Sequence, residues 1–472
     1  GRSSIIWGNH YEANVTVNGG VYTSDDPFTL CGNNNVDGLT TFSIEGATIN
    51  GNTSGIWLSY GAIETATITG CTVSANYPMY IATVQNATIS DCRIDGTYSG
   101  IEIKAGDVDI ENCIIHNERF LVDDSVGMSQ TGGSEAPIAI NNGYCNSAQV
   151  TSVDVTIENV TVTCDAEGYT PVVVTSYYES ESAKNDSDIS VTWEGASNSD
   201  VTFCPTQSAS TLSVNGFVAV DTPERLAAAA DNGSNVVFAA DITASMTVDA
   251  EQIITMDLNG FTLNGGTTRS TPAIYNSGTL TIIDSSKDQS GVVQRSDVNA
   301  GSYYVIDNHG VLTIQGGTVT NNSGYPDQWQ GSSLIRNIGT DADNNAVLNI
   351  MGGHIYQKNF IAVKNDDFGT LNVSGGLIEA GEAIGGNAGA SAIQNWNIAN
   401  ITGGTVNGPV MTCVWEGSPD DTVYGDSRTI IGGTAEISGA LEASYDTDHP
   451  SNTSRAYIEI QDGATVEVSS VY

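Results

Sequence analysis

The chain has 472 residues, enough for two or three ordinary domains that each bury a core. Acidic residues outnumber basic residues by 55 to 14, and the formal charge of −41 excludes nucleic acid and anionic membrane surfaces as partners, because both would be repelled at long range. No segment approaches the ~18 uninterrupted apolar residues of a membrane-spanning helix, so the sequence predicts no membrane insertion.

Small and polar residues dominate the composition. Glycine contributes 52 residues, Asn, Thr, Ser and Val are abundant, and only 15% of residues are charged. This composition is typical of β structure with many turns. The acidity favours a soluble surface protein outside the cell, and eight cysteines are too few over this length for a disulfide framework.

Three phrases with the same ending define the first part of the chain. They are Thr65-Ala-Thr-Ile-Thr-Gly-Cys71, Asn86-Ala-Thr-Ile-Ser-Asp-Cys92 and Asp107-Val-Asp-Ile-Glu-Asn-Cys113, each 21 residues after the one before. This period is too short for a helical repeat and suits one coil of a β-solenoid, in which equivalent residues stack. The sequence therefore predicts a column of buried, reduced cysteines. It predicts a second interior column: Ile68, Ile89 and Ile110.

The chain divides into two predicted modules. The first covers residues 1–214, with loops inserted at 118–150 and 177–188. A helix is predicted from Asp221 to Asp231, because Thr222 or Asp221 can cap it, Pro223 suits its first position and Asn232-Gly233 can end it. This helix would cap the exposed first coil of the second module, residues 215–472.

The second module repeats a different phrase, which ends an apolar strand on asparagine and continues to a Gly-Gly pair. We expect the asparagines to form a structural ladder at one corner of the coil, where amides hydrogen-bond to the coils above and below. The ladder residues are Asn276, Asn308, Asn337, Asn365 and Asn395.

These phrases resemble the right-handed parallel β-helix of pectin-lyase-like proteins and, more narrowly, bacterial cell-surface and adhesin-like proteins. The resemblance is carried by Ile274-Tyr-Asn-Ser-Gly-Thr-Leu-Thr-Ile282, by Gly310-Val-Leu-Thr-Ile-Gln-Gly-Gly-Thr-Val319 and by the helix that precedes Ile253-Ile-Thr-Met-Asp-Leu-Asn-Gly-Phe-Thr-Leu263. It implies an all-β fold, a right-handed parallel β-helix in two tandem modules with a short capping helix between them. Because this fold hosts both enzymes and non-catalytic adhesins, it implies no single activity.

The sequence offers weak catalytic candidates. The set of Asn-Thr-Asp, Asp-Asp, Gly-His-Gly and Arg-Ile-Lys signatures found in polygalacturonase-like enzymes is not assembled, and Ile101-Glu-Ile-Lys104 is the nearest approach to the last of them. Glycoside hydrolysis needs two carboxyl groups about 5–9.5 Å apart. Among several acidic pairs, Asp366-Asp367 is the best candidate because it directly follows a ladder asparagine.

Two kinds of binding site are predicted in segments outside the alternating runs. Asp341 and Asp343 present alternating oxygens that suit Ca²⁺, although the Gly and Glu of an EF-hand are absent and a simple polar insertion explains them as well. Aromatic side chains next to amides and acids suit glycans, although packing against the solenoid explains them too. These aromatic candidates are Tyr325, Trp329, Trp396 and Trp415.

We therefore predict a non-catalytic, extracellular surface or adhesin-like protein of a bacterial cell or virion, whose stiff solenoid displays loops that bind glycans or cell-surface proteins. No cofactor other than Ca²⁺ is expected. The sequence leaves open whether the protein forms an oligomer or a filament. The alternative is a polysaccharide-degrading enzyme of the same fold, such as a glycoside hydrolase, a lyase or a tailspike depolymerase. A third hypothesis is a purely architectural stalk.

Overall fold

The chain divides into two compact units, Gly1–Ala219 and Val220–Tyr472, and the sequence places its boundary at 214/215. A computed structural model describes residues 4–7, 14–24, 28–31, 40–59, 63–122, 134–176, 186–204, 209–266, 270–295, 304–321, 333–341, 343–357, 360–381, 391–414, 425–444 and 453–467.

The first unit is a stack of coils that contribute strands to three parallel sheets. The Trp57 sheet contains Ser4–Trp7, Phe28–Cys31, Ser54–Leu58, Tyr77–Ile81, Ile101–Ile103, Ile138–Asn141, Val172–Thr175 and Val201–Cys204. The Thr67 sheet contains Asn14–Asn18, Thr40–Glu45, Ile63–Thr69, Val84–Ser90, Gly106–Glu111, Ser152–Glu158, Asp188–Trp193 and Leu212–Val214, followed by the antiparallel strand Phe217–Val220. The Val73 sheet contains Val21–Ser24, Thr48–Gly51, Thr72–Ala75, Arg93–Gly96, Ile114–Asn117 and Thr161–Cys164.

The predicted isoleucine column is confirmed. Ile89 pairs in register with Ile68 on one side and with Ile110 on the other, and all three side chains are fully buried. The alternating residues between them, such as Thr67 and Thr88, lie on the outer face. Successive coils therefore place equivalent side chains in columns, one strand spacing apart.

The corner before each cysteine explains the shared phrase ending. Gly70, Asp91 and Asn112 all have positive φ, at 64°, 54° and 52°, a conformation that glycine, aspartate and asparagine tolerate best. The following thiols of Cys71, Cys92 and Cys113 are buried, form no disulfide, and donate to backbone carbonyls of Thr69, Ser90 and Glu111 at 3.4, 3.1 and 3.1 Å.

One region predicted as an inserted loop contains regular structure. Within 118–150, Ile138–Asn141 is a strand of the Trp57 sheet and Cys145–Ala148 is a short helix. All four residues of this strand are buried, so the strand shows no alternation of apolar and polar residues. A further 3₁₀ turn covers Asn198–Asp200.

The second unit begins with the predicted helix, which spans Pro223–Asp231. The Thr222 hydroxyl accepts a hydrogen bond from the Arg225 backbone N–H at 3.3 Å and so caps the first turn. Leu226, Ala229 and Ala230 are buried, and the helix packs against the first strands of this unit. Among the described residues, no helix is long and apolar enough to cross a membrane.

Three parallel sheets follow the helix. The ladder sheet contains Met246–Val248, Ile274–Asn276, Ile306–Asn308, Ile335–Asn337, Ile361–Asn365, Ser391–Asn395, Val410–Thr412 and Leu441–Ala443. The Thr281 sheet contains Asn235–Phe238, Ile253–Asp257, Thr279–Ile283, Val311–Ile314, Ala346–Ile350, Ser427–Ile431 and Ala456–Ile460. The Val293 sheet contains Ile242–Thr243, Thr262–Asn264, Val292–Arg295, Thr318–Asn321, His354–Gln357, Glu436–Ser438 and Thr465–Glu467. Two long strands, Gly369–Ala380 and Ile398–Asn407, run through both of the last two sheets.

A Gly-Gly corner connects these last two sheets, and Gly375-Gly376 shows why both residues are glycine. A Cβ on Gly375 would lie 2.2 Å from the carbonyl oxygen of Met351 in the preceding coil. Gly376 has a φ of 78°, which an L side chain would strain.

The structure brings together, in one buried ladder, the five asparagines of the phrase that repeats in the second module. Each Nδ2 donates to the Oδ1 of the next asparagine at 2.7–2.8 Å, from Asn276 through to Asn395. Each also donates to a backbone carbonyl in the next coil, as Asn337 does to Thr370 at 3.1 Å. The ladder fixes the register of the strands that precede it.

Candidate functional site

A row of charged and aromatic side chains stands on the outer surface of the ladder sheet. The residue before each ladder asparagine points outward, and these residues pair in register from coil to coil. Together with their neighbours they form what we call the Arg336 face: Tyr275, Tyr304, Asp307, His309, Arg336, Lys364, Asp366 and Trp396.

Asp307 is the best-held acid of this face. Arg336 donates to its two oxygens from Nε and Nη2 at 2.8 and 2.7 Å, and His309 Nε2 lies 3.2 Å from Oδ1. The Asp307 side chain is only 1% exposed. Burial alone would raise the pKa of the Asp307 carboxyl, but the hydrogen bonds from His309 and Arg336 outweigh it and hold the pKa below its usual value.

Aromatic rings flank this ion pair. The Arg336 guanidinium lies 4.5 Å from the centroid of the Tyr304 ring, and the rings of Tyr275 and His309 are 5.0 Å apart. The Tyr275 side chain is exposed, whereas Tyr304 and His309 are half-buried. Planar surfaces therefore stand directly beside hydrogen-bonding groups.

The same face contains two of the residues predicted from the sequence. Lys364 Nζ donates to Asp366 Oδ2 at 2.7 Å and lies 5.7 Å from the centroid of the Trp396 ring. The Trp396 Nε1 atom is buried and has no hydrogen-bond partner within the part of the chain that the structure describes. Asp366 and Trp396, predicted as parts of two different sites, thus lie around one lysine.

The remaining predicted residues are placed as follows. Asp367 accepts a hydrogen bond from the Gly339 N–H through its backbone carbonyl. The Asp341 carboxylate accepts from the backbone N–H groups of Asp343 and Asn344, and hydrogen bonding from the Asn344 side chain lowers the pKa of Asp341. Among the described residues, no group of three or more His, Cys, Asp or Glu could hold a metal ion. Three aromatic candidates lie outside the described residues: Tyr325, Trp329 and Trp415.

A second charged cluster, the Glu102 cluster, is buried on the Trp57 sheet of the first unit. Lys104 Nζ lies 2.8 Å from Glu102 Oε1 and 5.2 Å from the centroid of the Tyr80 ring. Tyr80 stacks on Trp57 at 3.8 Å with the planes 8° apart, and Tyr144 packs against the cluster that these two residues form with Ala82. Burial raises the pKa of Glu102, and the pairing with Lys104 offsets part of that rise.

The sequence interpretation missed most of the Arg336 face, although a signal for it was present. The phrases Ile274-Tyr-Asn, Ile306-Asp-Asn, Ile335-Arg-Asn and Val363-Lys-Asn all begin with a β-branched apolar residue and end with the ladder asparagine, and the residue between the two varies freely. Because the ladder fixes the register, these variable residues must form one outer column. Reading the variable position of the repeat, not only its constant one, would have found them.

The geometry of the Arg336 face suits binding better than acid–base catalysis. A general acid at neutral pH needs a raised pKa, whereas the pKa of Asp307 is lowered and Asp366 is paired with a lysine. Aromatic rings beside fixed charges and donors instead match the usual recognition of sugars by stacking and directed hydrogen bonds.

Comparison with known proteins bears on the fold. Residues 32–162 match the family model described as "Right handed beta helix region". The fold is a right-handed parallel β-helix. The match lies in the first unit, and the stacked parallel strands of both units have the same arrangement, so the predicted all-β solenoid is confirmed. No curated protein and no solved structure matches the chain.

Proposed function

We propose that this β-helix is a non-catalytic extracellular surface protein that binds glycans through the Arg336 face. The observation that supports this most is that aromatic rings stand beside paired charges: Tyr304 lies next to Arg336, and Trp396 lies next to Lys364. The two acids of the face, Asp307 and Asp366, are neutralised by Arg336 and Lys364. Such a face offers rings and donors to a sugar but no acid poised to protonate a leaving group.

The charge of the chain narrows the ligand class. At −41, the protein repels polyanionic polysaccharides at long range, so the glycans expected here are neutral or carry isolated acidic groups. A stiff solenoid would present this face at a fixed height on a cell or virion surface.

Binding to an immobilised glycan array tests the proposal, with Trp396→Ala as the test variant. We expect the wild type to bind, and the substitution to weaken binding at least about tenfold, which corresponds to about 1.4 kcal/mol. The matched control is Tyr457→Ala, which removes another ring stacked on a cation, 5.2 Å from Arg428 on the Thr281 sheet. No binding by the wild type, or equal losses in the two variants, would contradict the proposal.

One observation favours a second candidate function, a glycan-degrading enzyme. A general acid usually has a raised pKa, and burial raises the pKa of Glu102. Glu102 also pairs in register with Tyr80, whose ring stacks on Trp57. Its burial argues against access by substrate. Release of reducing sugars from neutral and acidic polysaccharides, lost in Glu102→Gln or Asp366→Asn, would establish the enzyme in place of the binding protein.

A further inference from the structure

The outer face of the Thr281 sheet lacks charge over five consecutive coils. Two columns of side chains stand in register on it. The first column is Thr279, Val311, Val347, Thr370 and Ile398, and the second is Thr281, Thr313, Asn349, Asn372 and Asn400. We call these ten residues the neutral face.

The neutral face keeps this absence of charge over all five coils. In the first unit, the outer columns of the Thr67 sheet are uncharged at Thr41, Thr65 and Asn86 and at Ser43, Thr67 and Thr88, but on the next two coils the same outer face carries five acids. They are Asp107, Asp109, Glu111, Asp154 and Glu158. In a chain with 55 acidic residues, a strip without charge is a surface that an uncharged partner can cover without removing ions from water.

The second column is organised for hydrogen bonding. Asn400 Nδ2 donates to Asn372 Oδ1 at 3.0 Å, Asn372 Nδ2 donates to Asn349 Oδ1 at 3.0 Å, and Asn349 Nδ2 donates to Thr313 Oγ1 at 3.3 Å. An amide nitrogen carries two protons, and each of these contacts uses one. The column is therefore a rigid row of amides and hydroxyls with the periodicity of the coils.

The first column supplies apolar contact beside that row. Ile398 is 42% exposed, and Val311 and Val347, in the same column, are half-buried. Sugars present hydroxyl groups at their edges and C–H groups on their faces. The polar second column can hydrogen-bond to the sugar hydroxyl groups, and the first column can pack against the sugar C–H groups.

The dimensions favour a single polymer chain over a second protein. Five coils span roughly 20–25 Å and each of the two columns is about 7 Å wide, so the strip covers roughly 300 Å². A stable protein–protein interface needs about 800 Å² from each partner. A second copy of this chain would therefore find too little area here, whereas a narrow polymer can run along the whole strip.

We propose that the neutral face binds an uncharged linear polysaccharide that lies parallel to the axis of the second unit. The hydroxyl groups of the ligand hydrogen-bond to the second column, and its C–H faces pack against the first column. This site is separate from the Arg336 face, so either proposal can fail without the other.

Co-sedimentation with insoluble cellulose, chitin and mannan tests this inference. The wild type should sediment with at least one of these neutral polymers, to the same extent at low and high salt, because no charges take part. Thr370→Glu and Asn372→Asp should each weaken retention at least tenfold. The matched control is Thr67→Glu on the Thr67 sheet, which adds a charge to an exposed threonine and should retain wild-type binding. Thermal unfolding of each variant verifies that the fold is kept.

Three outcomes would overturn the inference. The first is a wild type that no neutral polymer retains, and the second is retention that Thr370→Glu leaves unchanged. The third is a dimer in sedimentation analysis that Thr370→Glu dissociates, which would assign the face to a second copy of the chain. Loss of binding in Trp396→Ala alone would concern the Arg336 face and not this one.

Discussion

Each asparagine of the buried ladder has two amide protons, and the structure uses both. Asn337 donates one to Asn365 and the other to the Thr370 carbonyl, and it accepts from Asn308. With no exposure to water, every one of these contacts must be made within the protein. The ladder is thus a structural feature that also fixes which outer residues are neighbours.

Asn337→Ala should lower the free energy of unfolding by about 3 kcal/mol, because it leaves one amide proton of Asn308 and the Oδ1 acceptor of Asn365 buried without a partner. Chemical denaturation measures the change. The control is Asn400→Ala in the outer amide column, where water can replace the lost partner and the cost should be about 1 kcal/mol or less. Equal costs at the two positions would show that the buried ladder adds no special stability.

The Asp307 ion pair should make stability depend on pH. Because the folded pKa of Asp307 is lowered, the pair stabilises the fold above the unfolded pKa of about 3.9, and this contribution is lost as the pH falls through the folded pKa. Asp307→Asn should cost about 2 kcal/mol at neutral pH, since Arg336 loses its carboxylate. The difference from the wild type should shrink below about pH 4. A difference that stays constant between neutral and acidic pH would contradict this assignment.

At the scale of the strand, position within the alternation decides the effect of a substitution. Ile89 is fully buried between Ile68 and Ile110, whereas its neighbour Thr88 lies on the outer face. Ile89→Ala should therefore cost about 3 kcal/mol by thermal or chemical denaturation, and Thr88→Ala less than about 1 kcal/mol. Similar costs at both positions would mean that Ile89 is not an interior residue of a stacked coil.

The sequence predicted the coils, their register, the capping helix and the ladder, because each repeats a constant residue in a constant place. It missed the strand Ile138–Asn141, which is buried on both faces and follows a polar segment of the sequence. It separated Asp366 from Trp396, since a contact across coils depends on the exact length of the intervening turn. It had no means to find the buried Glu102–Lys104 pair, whose burial depends on residues distant in sequence.

At the scale of the molecule, the two units share a plan but present different outer surfaces. The first carries clustered acids on its Thr67 sheet, and the second combines the Arg336 face with the neutral face. A parallel β-helix allows this because its interior columns maintain the fold while its outer columns are free to vary. Both proposed binding surfaces depend on those outer columns being in register.

Dipolar broadening between nitroxide labels tests that register most directly. Labels at Thr281→Cys and Thr313→Cys lie on adjacent coils of the second unit, and labels at Thr281→Cys and Asn349→Cys lie two coils apart, in each case with Cys164 replaced by serine. The stacked coils predict backbone separations of about 5 and about 10 Å, with strong broadening in the first pair and weaker broadening in the second. Absence of broadening in both pairs would contradict in-register stacking, and with it both binding surfaces.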